Sequence, residues 1–105
     1  MPHEHGCEGK KVWDRTKSKC VVVRKGDILE LTDKDTIRKE TMNVGFITRI
    51  EPFELKKGDK IKVDGRLQND MFVSRIQPKP EVTGLVIKKD WQKYMKFAYE
   101  RVGRK

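Results

Sequence analysis

At 105 residues, 35% of them hydrophobic and gathered in short bursts, the chain has material for one compact core with ragged ends and too little for two domains. Twenty-five Lys and Arg against sixteen Asp and Glu give a net charge of +9, which attracts polyanions over a Debye length of about 8 Å at physiological salt. No run approaches the ~20 apolar residues of a membrane-spanning helix, and the first seven residues lack the apolar stretch of a signal peptide, so a soluble, cytoplasmic protein is expected.

Residues 1–19 are polar apart from Val12 and Trp13, which predicts an irregular or partly disordered lead-in that Trp13 pins to the core. From Cys20 the pattern changes. Cys20-Val21-Val22-Val23 is short and β-branched, Gly26-Asp27 is a turn signal, and Ile28-Leu29-Glu30-Leu31 resumes, which predicts a first hairpin. The charged stretch 33–43 fits an edge strand, a helical turn or a loop. Residues 44–50 alternate at period two and predict a strand that Pro52 stops. Lys60-Ile61-Lys62-Val63 and Met71-Phe72-Val73-Ser74-Arg75-Ile76, joined through a turn at Asn69-Asp70, predict an antiparallel hairpin over 60–76, with Asp64-Gly65 as a bend or bulge. Gln77-Pro78-Lys79-Pro80 is a stiff connector and 82–87 one more strand. Trp91, Tyr94, Met95, Ala98 and Val102 then share one face of a helix over about 89–102, with Gly103 as its stop. The organisation expected is an irregular segment 1–19, a β-domain over 20–87, and a basic amphipathic helix within 88–105 packed on it.

Gly45-Phe46-Ile47-Thr48-Arg49-Ile50-Glu51-Pro52, then Lys57-Gly58-Asp59-Lys60-Ile61-Lys62-Val63, Asp64-Gly65-Arg66-Leu67 and Phe72-Val73-Ser74-Arg75-Ile76 resemble the central strands of an OB-fold. The resemblance covers about a third of the chain, and SH3-like barrels turn their strands with the same pattern. It implies a mainly β fold: a small five- to six-stranded antiparallel barrel, OB-like or SH3-like, with a C-terminal amphipathic α-helix, and a sheet face that tracks single-stranded nucleic acid. The chain departs from the simplest OB pattern in carrying its helix at the C-terminus rather than between the third and fourth strands.

Three groups of residues carry chemistry. On the predicted helix Lys93, Phe97, Arg101 and Arg104 recur at helical spacing, so that three cations flank one aromatic ring and offer phosphate contacts beside a stacking surface. The bland account of the same residues is a solvated helix face. On the barrel Arg49, Lys60, Lys62, Arg66 and Arg75 are expected to line one polar sheet face near Phe72, or equally to be the wet side of an amphipathic sheet balanced by Asp59, Asp64 and Asp70. His3, His5, Cys7 and Cys20 have metal-ligand character: His-x-His-x-Cys followed thirteen residues later by Cys furnishes a tetrahedral zinc set if the N-terminal segment folds back, although the spacing matches no standard finger. Cys7 and Cys20 could in principle pair, but two cysteines do not make a secreted disulfide framework and a reducing compartment would keep both as thiols.

Catalysis finds no support, because the carboxylates neighbour Lys and Arg, no Walker-type phosphate loop is present, and both histidines lie in the polar lead-in. A non-enzymatic nucleic-acid-binding module is therefore expected, for single-stranded nucleic acid or structured RNA. The competing expectations are a protein-interaction or assembly module using the aromatic helix (Trp91, Tyr94, Phe97, Tyr99), and a small zinc-binding protein.

Overall fold

The computed structural model describes residues 7, 11–43, 46–67, 70–88 and 91–104. Alternating sequence becomes strand almost throughout: β1 (Lys11–Asp14), β2 (Lys19–Val22), β3 (Asp27–Leu31), β4 (Asp35–Asn43), β5 (Phe46–Leu55), β6 (Lys60–Leu67), β7 (Asp70–Gln77) and β8 (Val82–Ile87), then a short helix α1 (Trp91–Ala98) and β9 (Tyr99–Arg104). In β3, Leu29 and Leu31 are buried while Ile28 and Glu30 between them stay half-buried; Ile61 and Val63 against Lys60 and Lys62 repeat the rule in β6.

The strands form one sheet in the order β2-β1-β9-β3-β6-β7-β8-β4-β5. Every pairing is antiparallel except that of β1 with β9. The chain is thus mainly β with one short helix among the described residues, as expected, but the sheet is open: β2 and β5 each have one neighbour, and no five- or six-stranded closed barrel forms. Nine flat strands would span roughly 38 Å and leave an apolar face in water. Instead Val12 of β1 and Leu55 of β5, near opposite ends of the strand order, belong to one connected buried cluster with Leu29, Ile61, Val73 and Leu85. The sheet therefore curls around its own apolar face, helped by bulges at Val63/Gly65 and Val73/Arg75 that raise the local twist. Met95 and Ala98 of α1 fill the remaining opening.

The hairpin over 60–76 and the strand 82–87 form as the alternation predicts. Elsewhere tertiary pairing decides. The N-terminal segment is not wholly irregular: 11–14 is β1, with Val12 in the core. Cys20-Val21-Val22 and Ile28 to Leu31 are strands but not partners, because β2 pairs β1 whereas β3 lies between β9 and β6. The turn between them is closed on itself, the Arg24 N–H donating to Asp27 Oδ2 (2.8 Å) and the Asp27 N–H to the Arg24 carbonyl (3.1 Å). Residues 35–43 are the strand β4, and Pro52 lies inside β5 rather than ending it, which an outermost strand tolerates because its outer side makes no ladder bonds.

The largest departure is at the C-terminus. The helix stops at Ala98, where Thr32 caps it, its N–H donating to the Ala98 carbonyl (2.7 Å) and its hydroxyl to that of Phe97 (3.3 Å). Residues 99–104 become β9, inserted between β1 and β3. Strand geometry sends Glu100 to one face, onto Arg15, and Arg101 to the other, onto Asp14 and Asp27. Tyr99 is fully buried and its hydroxyl donates to Asp35 Oδ2 at 2.6 Å, with the Tyr94 ring edge-on to it. Burial, then the Asp35 carboxylate, pushes Tyr94 up to about 12 and Tyr99 well above its usual range.

Candidate functional site

Two turns and one strand build a basic cleft of about 310 Å³ at the β2 end of the sheet. The first turn connects β1 to β2 and is organised by Asp14, whose Oδ1 accepts the Thr16 N–H (2.9 Å), the Thr16 hydroxyl (2.7 Å) and the Lys17 N–H (3.1 Å). Burial alone would raise the Asp14 carboxyl; the bonds from Thr16, Lys17 and Arg101 outweigh it and hold the group below its usual range. This turn presents Lys17 and feeds Lys19 into β2. The second turn, 24–27, carries Arg24 and is locked by Asp27.

Arg101 and Arg104 of β9 supply the floor. Arg101, only 11% exposed, binds Asp14 Oδ2 through Nη1 and Asp27 Oδ1 through Nε (3.2 Å). Desolvation lowers the affinity of its guanidinium for its proton, and the two carboxylates more than restore it. Arg104 approaches Asp27 at 3.8 Å and remains 52% exposed. Asp14 and Asp27 thereby neutralise the floor, whereas Lys11, Lys17, Lys19 and Arg24 around it are exposed and make no ion pair among the described residues. Among the described residues the lining contains no aromatic ring; its apolar members are Cys20, Val21 and Val22.

The residues selected from sequence are dispersed. Lys93 lies in α1 and its side chain is outside the described residues; Phe97, also in α1, is half exposed with Lys96 Nζ 5.0 Å above its ring. Arg101 and Arg104 are on β9, so the predicted four-residue helix face does not exist, and Arg101 is committed to two buried carboxylates. The sheet residues divide likewise. Lys62 is opposite Ser74, and Phe72 is opposite Val86 on the same face, but Arg75 is opposite Ile61 on the core side, with its guanidinium 5.3 Å from the Phe53 ring and Nη2 donating to the Pro80 carbonyl. Lys60 is half-buried on β6, and Arg66 is exposed beyond the Val63/Gly65 bulge, where the register has changed. Arg49, on the far edge strand, pairs with Glu51 at 2.6 Å. No common polar face gathers these groups.

Cys7 and Cys20 are joined by a disulfide, so in this state neither offers a thiolate to a metal, contrary to the expectation of free thiols. His3 and His5 lie outside the described residues. Among the described residues no cluster of three or more His, Cys, Asp or Glu has a metal-binding arrangement. Of the predicted aromatic docking surface, Tyr94 and Tyr99 turn inward, Phe97 is exposed, and the Trp91 side chain lies outside the described residues. No described helix is long and apolar enough to cross a membrane.

The sequence reading overlooked Lys11, Lys17, Lys19 and Arg24, although a signal was present: residues 10–25 carry seven basic side chains and one acidic, a density matching that of the C-terminal segment. Compared with family models, curated proteins and solved structures, the chain matches none.

Proposed function

We propose that the chain is a non-catalytic nucleic-acid-binding module that holds the phosphate backbone of single-stranded nucleic acid or structured RNA in the cleft between the β1–β2 hairpin and β9. The observation that carries this reading is the set Lys11, Lys17, Lys19 and Arg24, exposed and without an ion pair among the described residues, on one concave surface whose described carboxylates are already engaged by Arg101 and Arg104. Such a surface attracts phosphates, and the carboxylates described beside it are neutralised by Arg101 and Arg104. With no ring in the lining to stack on a base, recognition rests on charge and spacing, and sequence preference is expected to be weak. Arg104 joins the phosphate contacts at the mouth, while Arg101 positions the floor. Five phosphate contacts to a single strand correspond to a slope of about −3.5 in log K against log salt.

Fluorescence anisotropy of labelled single-stranded RNA, single-stranded DNA and duplex DNA tests the reading. The variant Lys11→Ala/Lys17→Ala/Lys19→Ala is expected to lose most of the affinity and of the salt slope, and Lys93→Ala/Lys96→Ala/Phe97→Ala to lose little. The reverse ranking would return the site to α1. No saturable binding at physiological salt would reject the reading and direct attention to protein partners of the helix.

A further inference from the structure

The disulfide is part of the cleft wall. Cys20 lies on β2 and lines the cleft beside Lys19, whereas its partner Cys7 is buried to 1% exposure. The bridge closes the stretch from which three of the four exposed cleft cations come, Lys11, Lys17 and Lys19. What else holds this stretch is unequal. β1 is anchored by Val12 in the core, by Asp14 on Arg101, by register with Glu100 and Arg101 of β9, and by the Arg15 N–H donating to the Arg101 carbonyl at 2.9 Å. β2 is the outermost strand, and β1 is its one neighbour. Among the described residues its other ties are Val21, packed against the core, the buried Val23 that follows it, and the bond from Cys20 to Cys7.

We propose that the Cys7–Cys20 pair is a redox switch that sets the affinity of the basic cleft, the bridged form being the binding form; this rests on the phosphate-binding reading above. A dithiol reductant enters through the cleft. Its thiolate attacks Cys20 Sγ, the S–S bond breaks, and Cys7 leaves with the electron pair as a thiolate that takes up a proton. The second thiol of the reductant then attacks the mixed disulfide, Cys20 leaves and is protonated, and the reductant departs as its cyclic disulfide. Two electrons and two protons pass to the chain, and the reverse exchange restores the bridge. Lys11, Lys19 and Arg24, which line the cleft with Cys20, favour the second exchange, because cations around a sulfur stabilise its thiolate and a stabilised thiolate leaves faster. Once it is cut, β2 and the Lys17 turn leave their cleft-forming positions for part of the time, and apparent affinity falls by the fraction of time the wall is intact. The rest of the sheet, from β1 to β5 in the strand order, keeps the connected buried cluster and stays folded.

The test measures binding of a labelled single-stranded RNA to the whole chain in buffers of reduced and oxidised dithiothreitol, with the thiol fraction read by alkylation and the sheet followed by far-UV circular dichroism. The bridged chain is expected to bind and the reduced chain to bind about tenfold more weakly with its sheet signal retained. Cys7→Ser/Cys20→Ser is expected to match the reduced chain in both buffers. By reciprocity, saturating RNA should shift the reduced-to-oxidised dithiothreitol ratio at half reduction by the same factor of about ten. Equal affinity in the two states would overturn the switch while leaving the phosphate reading standing. Loss of the sheet signal on reduction would also overturn it, since the bridge would then hold the fold rather than the cleft. Absence of binding by the bridged chain would reject the phosphate reading itself, and the switch with it.

Discussion

Replacing Arg101 by Met keeps most of the side chain's volume and removes its charge, which separates the two roles open to this residue, phosphate ligand or pillar of the fold. Asp14 is 0% exposed and Asp27 2%, and both carboxylates face the Arg101 guanidinium. Removing one partner of a buried ion pair costs about 3–5 kcal/mol, because the remaining charge is stranded in low dielectric. Here the lower end applies. Asp14 Oδ1 keeps three donors from Thr16 and Lys17, and Asp27 Oδ2 keeps the Arg24 N–H. A loss of about 3 kcal/mol from the ~5–15 kcal/mol of a domain this size should lower the melting temperature by roughly 15 °C. Urea unfolding and thermal melts of the bridged protein, followed by circular dichroism, measure this directly. Adding Asp14→Asn should recover part of the loss, since the stranded charge then disappears. A variant that melts within about 2 °C of wild type yet loses RNA binding would refute the reasoning and restore Arg101 as a ligand.

Titration at both extremes of pH should reveal the buried carboxylate and phenols. Asp14 is held below its usual 3.8, so its contribution to stability is complete above that value and is lost as pH falls through the lowered one; urea midpoints measured downward from pH 4 should drop less in Asp14→Asn than in wild type. Tyr94 is raised from 10 to about 12, so its contribution is complete below pH 10 and lost as pH rises from 10 through 12, and Tyr94→Phe should reduce that alkaline loss in the same assay. Gly84→Ala places a Cβ 3.0 Å from the Glu40 carbonyl oxygen at a φ of +74°, and should cost about 1–2 kcal/mol in urea unfolding; an unchanged midpoint would mean that the β4–β8 contact yields freely.

What could be read from the sequence follows the distance over which each element is decided. The β6–β7 hairpin was legible because the alternation and the turn signal at Asn69-Asp70 lie within it and the Gly58-Asp59 signal marks its start. The order of strands was not, because β9 reaches its partners from the far end of the chain: Arg101 finds Asp14 across 87 residues. The segment 99–102 suits either a helix or a strand by period, and only the buried partners of Glu100 and Arg101 on opposite faces decide for the strand. β1 was hidden for the same reason, since an Asp that is buried by an ion pair looks like a solvent residue in a polar segment. The site was missed because its cations are gathered by a hairpin register, Trp13 opposite Cys20, and by a cross-link to Cys7, whereas the C-terminal cations advertised themselves through a helical spacing that the fold does not use.

The central claim, that polyanions bind the cleft beside the β1–β2 hairpin, is tested most directly by titrating the ¹⁵N-labelled, disulfide-bonded protein with a single-stranded oligonucleotide and mapping amide shifts. The account predicts saturable shifts concentrated in residues 15–24 and 101–104, small ones in 91–98 and 46–55, and all of them suppressed by high salt. Shifts centred on α1 or on the β6–β7 hairpin would contradict the assignment of the site, and a spectrum unmoved by the oligonucleotide would contradict the function.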